Sequence, residues 1–60
     1  MKFTLEVDLD QIDPERRETE LGRILRYWAG NLQHYALERG DRAELADSEY
    51  RTVGEWRITA

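Results

Sequence analysis

Three carboxylates, Asp8, Asp10 and Asp13, stand in a D-x-D-x-x-D run behind a stretch of alternating residues. Carboxylates gathered after a strand can hold Mg²⁺ or Ca²⁺ through oxygen. This run lacks the glycine and the distal glutamate of a calcium loop, and no nucleophile-plus-base set accompanies it. A solvated strand end followed by a helix cap explains the same residues and is the expected outcome, with no metal and no cofactor. Tyr27, Asn31, His34 and Glu38 form a second constellation, spaced four, three and four residues apart, so that they share one stripe of a helix. A histidine titrates near neutrality and can act as a general base. Asp8, Asp10 and His34 together would be the core of a carboxylate-based metal-binding or acid–base enzyme. No serine or cysteine nucleophile adjoins His34 on its stripe and no cofactor loop precedes it. A partner-binding flank of Arg23, Tyr27, Asn31 and His34, framed by Arg26, fits better, because Tyr and Arg are enriched at interface centres.

Other motifs carry less. Arg39-Gly40-Asp41 spells an adhesion tripeptide, but it coincides with an expected helix stop, where glycine is structural. Trp28 and Trp56 could stack on bases, yet both fall on apolar faces and are assigned to the core. Arg16, Arg17, Arg23 and Arg26 could grip phosphates. The chain as a whole, however, carries a net charge of −4 with no basic block, a poor basis for nucleic-acid binding. With no cysteine and one histidine, disulfides and thiolate metal sites are excluded and a structural zinc site is not expected. No apolar run reaches the roughly 20 residues of a membrane span and no signal-peptide pattern opens the chain, so a cytoplasmic protein without a membrane partner is expected. Eight arginines against one lysine point to a GC-rich genome.

These residues must be held by few elements, since 60 residues make one domain, 1–60. Residues 2–9 alternate strictly, with Phe3, Leu5, Val7 and Leu9 on one side: a half-buried strand. Asp13-Pro14 starts a helix, the aspartate as cap and the proline where a missing N–H does no harm. Leu21, Ile24, Leu25, Trp28, Leu32, Tyr35 and Ala36 then follow a 3.6-residue period. Gly40 as C-terminal cap predicts a helix over 14–38, about 37 Å long, whose polar first turns project or become irregular. Gly22 and Gly30 weaken it, and Gly30 faces away from the apolar arc. Residues 43–47 form a weak strand, 48–51 a turn and 52–59 a strong strand. Val53 has the wrong parity to join Trp56 and Ile58 unless a β-bulge at Gly54 turns it inward.

The expected fold class is α+β: a two-layer α/β sandwich of order β-α-β-β, with one long amphipathic helix on a three-stranded, mostly antiparallel sheet. A right-handed crossover and a returning last strand predict the spatial order 1-3-2, with the Trp56 strand central. The expected register sets Glu6 against Arg57, Leu5 against Ile58, Val7 against Trp56 and Asp8 against Glu55. Leu25, Trp28 and Leu32 should pack on Phe3, Leu5, Val7, Trp56 and Ile58.

The stretch LGRILRYWAGNL, Leu21 to Leu32, and the closing VGEWRIT, Val53 to Thr59, resemble uncharacterised small proteins of actinobacteria and their phages. The resemblance covers most of the chain and implies a cytoplasmic, phage-related accessory protein. It implies no activity and transfers no catalytic or binding residue. A chain this small, without disulfides or metal, needs an unusually good core or a partner subunit. The functional expectation is therefore a small non-enzymatic protein-interaction module, homodimeric or bound to another protein, with surplus aromatics Tyr27 and Tyr50 available for contact.

Overall fold

The computed structural model describes residues 1–60. Three strands form one sheet: β1 over Lys2–Val7, β2 over Arg42–Ala46 and β3 over Thr52–Thr59. Their order is β1-β3-β2, and β3 runs antiparallel to both neighbours. One helix, α1 over Arg17–Asn31, links β1 to β2 and covers one face of the sheet. The α+β sandwich and the 1-3-2 order expected from the β-α-β-β succession are therefore present. No helix is long and apolar enough to cross a membrane.

The core is Ile12, Ile24, Leu45, Val53, Trp56 and Ile58, with Leu5, Val7, Trp28, Leu32, Leu37 and Ala43 packed around it. Trp56 is 0% exposed at its centre. Its ring meets Phe3 at 5.6 Å, Trp28 at 5.6 Å and Tyr35 at 5.1 Å, the last two edge-on. Such tilted and edge-to-face pairs suit the ring quadrupoles. Val53 joins this core through the expected bulge: β2 pairs Leu45 with Gly54 and Ala46 with Thr52, leaving Val53 unpaired on that side and buried.

The register differs from expectation by two residues. Leu5 lies opposite Trp56, Glu6 opposite Glu55 and Val7 opposite Gly54. Gly54 sets this alignment, because a Cβ there would stand 1.9 Å from the Glu6 carbonyl oxygen, so only glycine admits β1 this closely. The expected Glu6–Arg57 attraction survives as a diagonal pair at 2.7 Å. Arg42 likewise reaches Glu55 at 2.9 Å, which offsets the like charges standing directly opposite on the uncovered face.

The helix matches expectation at its start and departs from it at its end. Pro14–Arg16 is a 3₁₀ turn capped by the Asp13 side chain, so the polar start is irregular, as foreseen. At the other end α1 stops at Asn31 and a 3₁₀ turn, Leu32–His34, closes it, not residue 38. Fifteen residues give a helix of about 22 Å, close to the length of β3 at about 3.4 Å per residue. Beyond that length the apolar residues reach the core only by turning back. Tyr35 does so onto Trp56, and Leu37 does so with a left-handed backbone, φ +57°. Ala36 is exposed. Gly40, φ +93°, caps no helix and instead donates its N–H to the Ile58 carbonyl, leading the chain into β2. Gly30 faces open space and its position is simply tolerated.

The buried face of α1 is rotated as well. Ile24, 2% exposed, lies at its centre, and Leu25, expected against the sheet, is 47% exposed. The cause is Glu20, whose buried carboxylate occupies the flank of the helix nearest β2 and so turns Leu25 outward.

Candidate functional site

The turn between β2 and β3 is built by one side chain. Asp47, buried, accepts from the backbone N–H groups of Glu49 and Arg51 at 2.9 Å each through Oδ1, and from Arg51 Nε at 3.0 Å through Oδ2. Its own N–H donates to the Arg51 carbonyl, and its carbonyl accepts from Tyr50 N–H. This is a three-residue hairpin loop whose last residue takes the left-handed conformation that usually calls for glycine. That residue is Tyr50, φ +64°, with its side chain 92% exposed. A left-handed backbone at a large aromatic residue is strained.

Beside the turn sits a second buried carboxylate. Glu20 Oε1 accepts from Arg16 Nη2 at 3.0 Å and from the Ser48 hydroxyl, while Oε2 accepts from Arg23 Nε at 3.2 Å. Arg16 also donates to Ser48 Oγ at 2.9 Å, and Arg23 Nη2 donates to the Ala46 carbonyl at 2.7 Å. Helix and hairpin are thus clamped together by a fully partnered charge cluster, the arrangement that burial of a carboxylate requires. The Ser48 hydrogen bond, then Arg23, holds the Glu20 carboxyl below its ordinary pKa against the opposing effect of burial. The Arg51 backbone N–H does the same for Asp47, helped by the Glu49 N–H and the Arg51 guanidinium.

A depressed carboxylate pKa stabilises the fold at all pH above the unfolded-state value and loses that contribution as pH falls through the folded-state value. The denaturation midpoint should therefore be flat between about pH 7 and pH 5 and fall steeply below about pH 4. Glu20→Gln should lower the neutral-pH midpoint and flatten the acid limb; an unchanged acid limb would show that the clamp contributes nothing.

Between the clamp, α1 and β2 lies a concavity of about 220 Å³ lined by Arg23, Ile24, Tyr27, Trp28, Glu44, Ala46, Asp47 and Tyr50. Its floor is apolar. Tyr27, 53% exposed, and Tyr50 form its open sides. Tyr27 is braced edge-on against Trp28 at 5.3 Å.

Two of the four residues expected to bind a partner, Arg23 and Tyr27, line this concavity, and the other two do not. Asn31 donates from Nδ2 to the Tyr27 carbonyl at 2.6 Å, a contact within its own helix, and His34 lies in the exposed 3₁₀ turn past the helix end. Glu38 lies beyond that turn, so the expected stripe is broken after Asn31. The residues of the acid–base alternative are not gathered. Asp8 accepts from Asp10 N–H and Gln11 Nε2 at 3.0 Å each, Asp13 caps the helix entry, and Asp10 faces Arg17 at 3.8 Å. His34 stands at the opposite end of α1, about 22 Å along its axis. No three His, Asp or Glu side chains converge on a point that could hold a metal ion. The arginines offered for phosphate are mostly engaged: Arg16 and Arg23 in the clamp, Arg17 on the Leu9 carbonyl, and Arg26 folded over Gly22.

Fold and site together define a small α+β domain with an apolar groove between its helix and its hairpin. The chain matches no protein-family model, no curated protein and no solved structure.

Proposed function

We propose that this protein is a non-enzymatic interaction module that binds another protein through the groove walled by Tyr27 and Tyr50. The observation that carries this reading is the hairpin turn: a buried aspartate, fully hydrogen-bonded, holds a tyrosine in a conformation suited to glycine and leaves its ring in solvent. Strain of this kind, about 1–3 kcal/mol, persists only where the surrounding structure enforces it, and it clusters at functional sites. Tyrosine offers a large, rigid contact surface with a polar tip and is enriched in binding hot spots. Glu44, an exposed carboxylate of the same lining, favours a partner segment that brings an apolar side chain next to a basic one.

Affinity capture from the native host with wild-type protein, Tyr27→Ala and Tyr50→Gly tests this directly. A specific partner retained by the wild type should bind at least tenfold more weakly to both variants, as expected for central aromatic anchors. Equal recovery by all three proteins would end the proposal.

A further inference from the structure

The two edges of the sheet are not alike. Asp8 N–H donates to the Val53 carbonyl at 2.7 Å, and the antiparallel register carries the same direction to Glu6, Thr4 and Lys2. The backbone groups of Phe3, Leu5 and Val7 therefore point away from β3, into solvent, along the whole free edge of β1. On the other edge, β2 presents only Arg42 and Glu44, because the Ala46 carbonyl is already taken by Arg23.

Two exposed side chains without any polar atom, Phe3 and Leu25, stand on the β1 side, whereas the exposed tyrosines of the groove lie on the β2 side. Phe3 is 45% exposed. On α1, Arg23 reaches the Ala46 carbonyl and so marks the β2 side of the helix. At about 100° per residue around Ile24, Leu25 falls on the opposite flank, above β1, and Leu21 falls beside it. Leu25 is the large apolar residue of the helix that the sheet leaves 47% uncovered on this side. Across the molecule, by contrast, Leu45 of β2 is wholly covered.

From this we infer that the protein forms a homodimer by antiparallel pairing of β1 with β1 of a second copy, centred on Leu5. That register is self-complementary at each position. On the helix face it sets Leu5 against Leu5 and Phe3 against Val7; on the open face it sets Lys2 against Asp8 and Thr4 against Glu6. No like charges meet. Lys2 takes part in no ion pair of the monomer, so its ammonium is free to meet the second Asp8. The two-fold axis stands normal to the sheet and closes the assembly at two chains. The product is a continuous six-stranded sheet of order 2-3-1-1-3-2, with both helices on one face and their Leu25 flanks turned towards the seam. It removes the longer unpaired edge, which an isolated small sheet must otherwise protect. The groove at Tyr27 and Tyr50 lies on the β2 side and stays open, so this inference stands or falls apart from the proposed function.

Residue-resolved amide exchange across a concentration series, with sedimentation on the same samples, is the test. In the dimer, protection at Phe3, Leu5 and Val7 rises with concentration, while Thr4 and Glu6 are protected throughout. Leu5→Pro removes an outward N–H without touching the β1–β3 ladder and should abolish association while keeping Thr4 and Glu6 protected. Should that variant fail to fold, Lys2→Glu, an exposed change, should weaken dimerisation roughly tenfold through two symmetry-related pairs. A monomer at about 1 mM, the weak limit of specific association, or concentration-dependent protection at Arg42 and Glu44 instead, overturns the inference.

Discussion

Trp56→Ala is expected to leave the chain unfolded at 25 °C. The indole is completely buried on the central strand and is the shared neighbour of Phe3, Trp28 and Tyr35. Truncating a buried tryptophan typically costs about 3–5 kcal/mol. A core of this size rarely supplies more than about 3–5 kcal/mol in total, so the substitution consumes the whole margin. Trp56→Phe should be far milder. The Trp56 Nε1–H is buried without a hydrogen-bond partner, and phenylalanine removes that unpaired donor, relieving about 1–3 kcal/mol while keeping most of the ring packing. Far-UV circular dichroism with denaturant titration separates the two variants. A cooperatively folded Trp56→Ala protein with a near-native midpoint would mean that the core is centred elsewhere.

Gly54→Ala should be nearly as damaging, although it adds only a methyl group. That methyl would lie 1.9 Å from the Glu6 carbonyl oxygen, with the Glu6 carbonyl carbon at 2.9 Å and Val7 Cα at 3.0 Å. These are backbone atoms, so no rotamer can yield; β1 must move. Overpacking of this kind costs about 1–3 kcal/mol or more, and here the strain falls on the ladder that ties β1 to β3. The expected signature is loss of amide protection at Thr4 and Glu6 before protection fades in β2. Native-like exchange at those two residues in Gly54→Ala would show that the close approach is not rigid.

Much of this architecture can be read from residue order. The alternation in β1, the Asp13-Pro14 entry and the inward turn of Val53 each follow from local chemistry that the fold leaves undisturbed. The register did not follow, because a Glu6–Arg57 pair is equally well made directly across or on the diagonal, and only the three-dimensional contact at Gly54 chooses between them. A slip of two residues preserves the face of every side chain, which is why the core residues were still legible. The pattern predicts a longer helix than forms because Leu32, Tyr35 and Ala36 keep an apolar rhythm that a helix could use; the finite length of the sheet ends α1 at Asn31, so that Tyr35 turns back onto Trp56 and Ala36 is left exposed.

The clamp was invisible for a different reason. Glu20 and Asp47 are charged, and nothing in their neighbours along the chain distinguishes them from solvated residues. Their burial depends on Ser48 meeting Glu20 from 28 positions away and on Arg51 closing the hairpin. Half of the expected partner flank fell away once the helix ended early, since Asn31 and His34 owed their place to a stripe that would have run on to Glu38. Tyr27 and Tyr50 were already conspicuous as aromatics without a core role; that they wall one groove is a consequence of the hairpin alone.

Whether the turn holds Tyr50 under strain for the sake of its exposed ring is tested most directly by the denaturation midpoint of Tyr50→Gly. Glycine adopts φ +64° without steric conflict, and an exposed ring contributes little packing to lose. Relief of the left-handed strain, offset by the greater freedom of glycine in the unfolded chain, should leave the variant as stable as the wild type or more stable by about 0.5–1 kcal/mol. A clear fall in the midpoint would show that Tyr50 supports the fold itself, and would contradict its assignment to a partner.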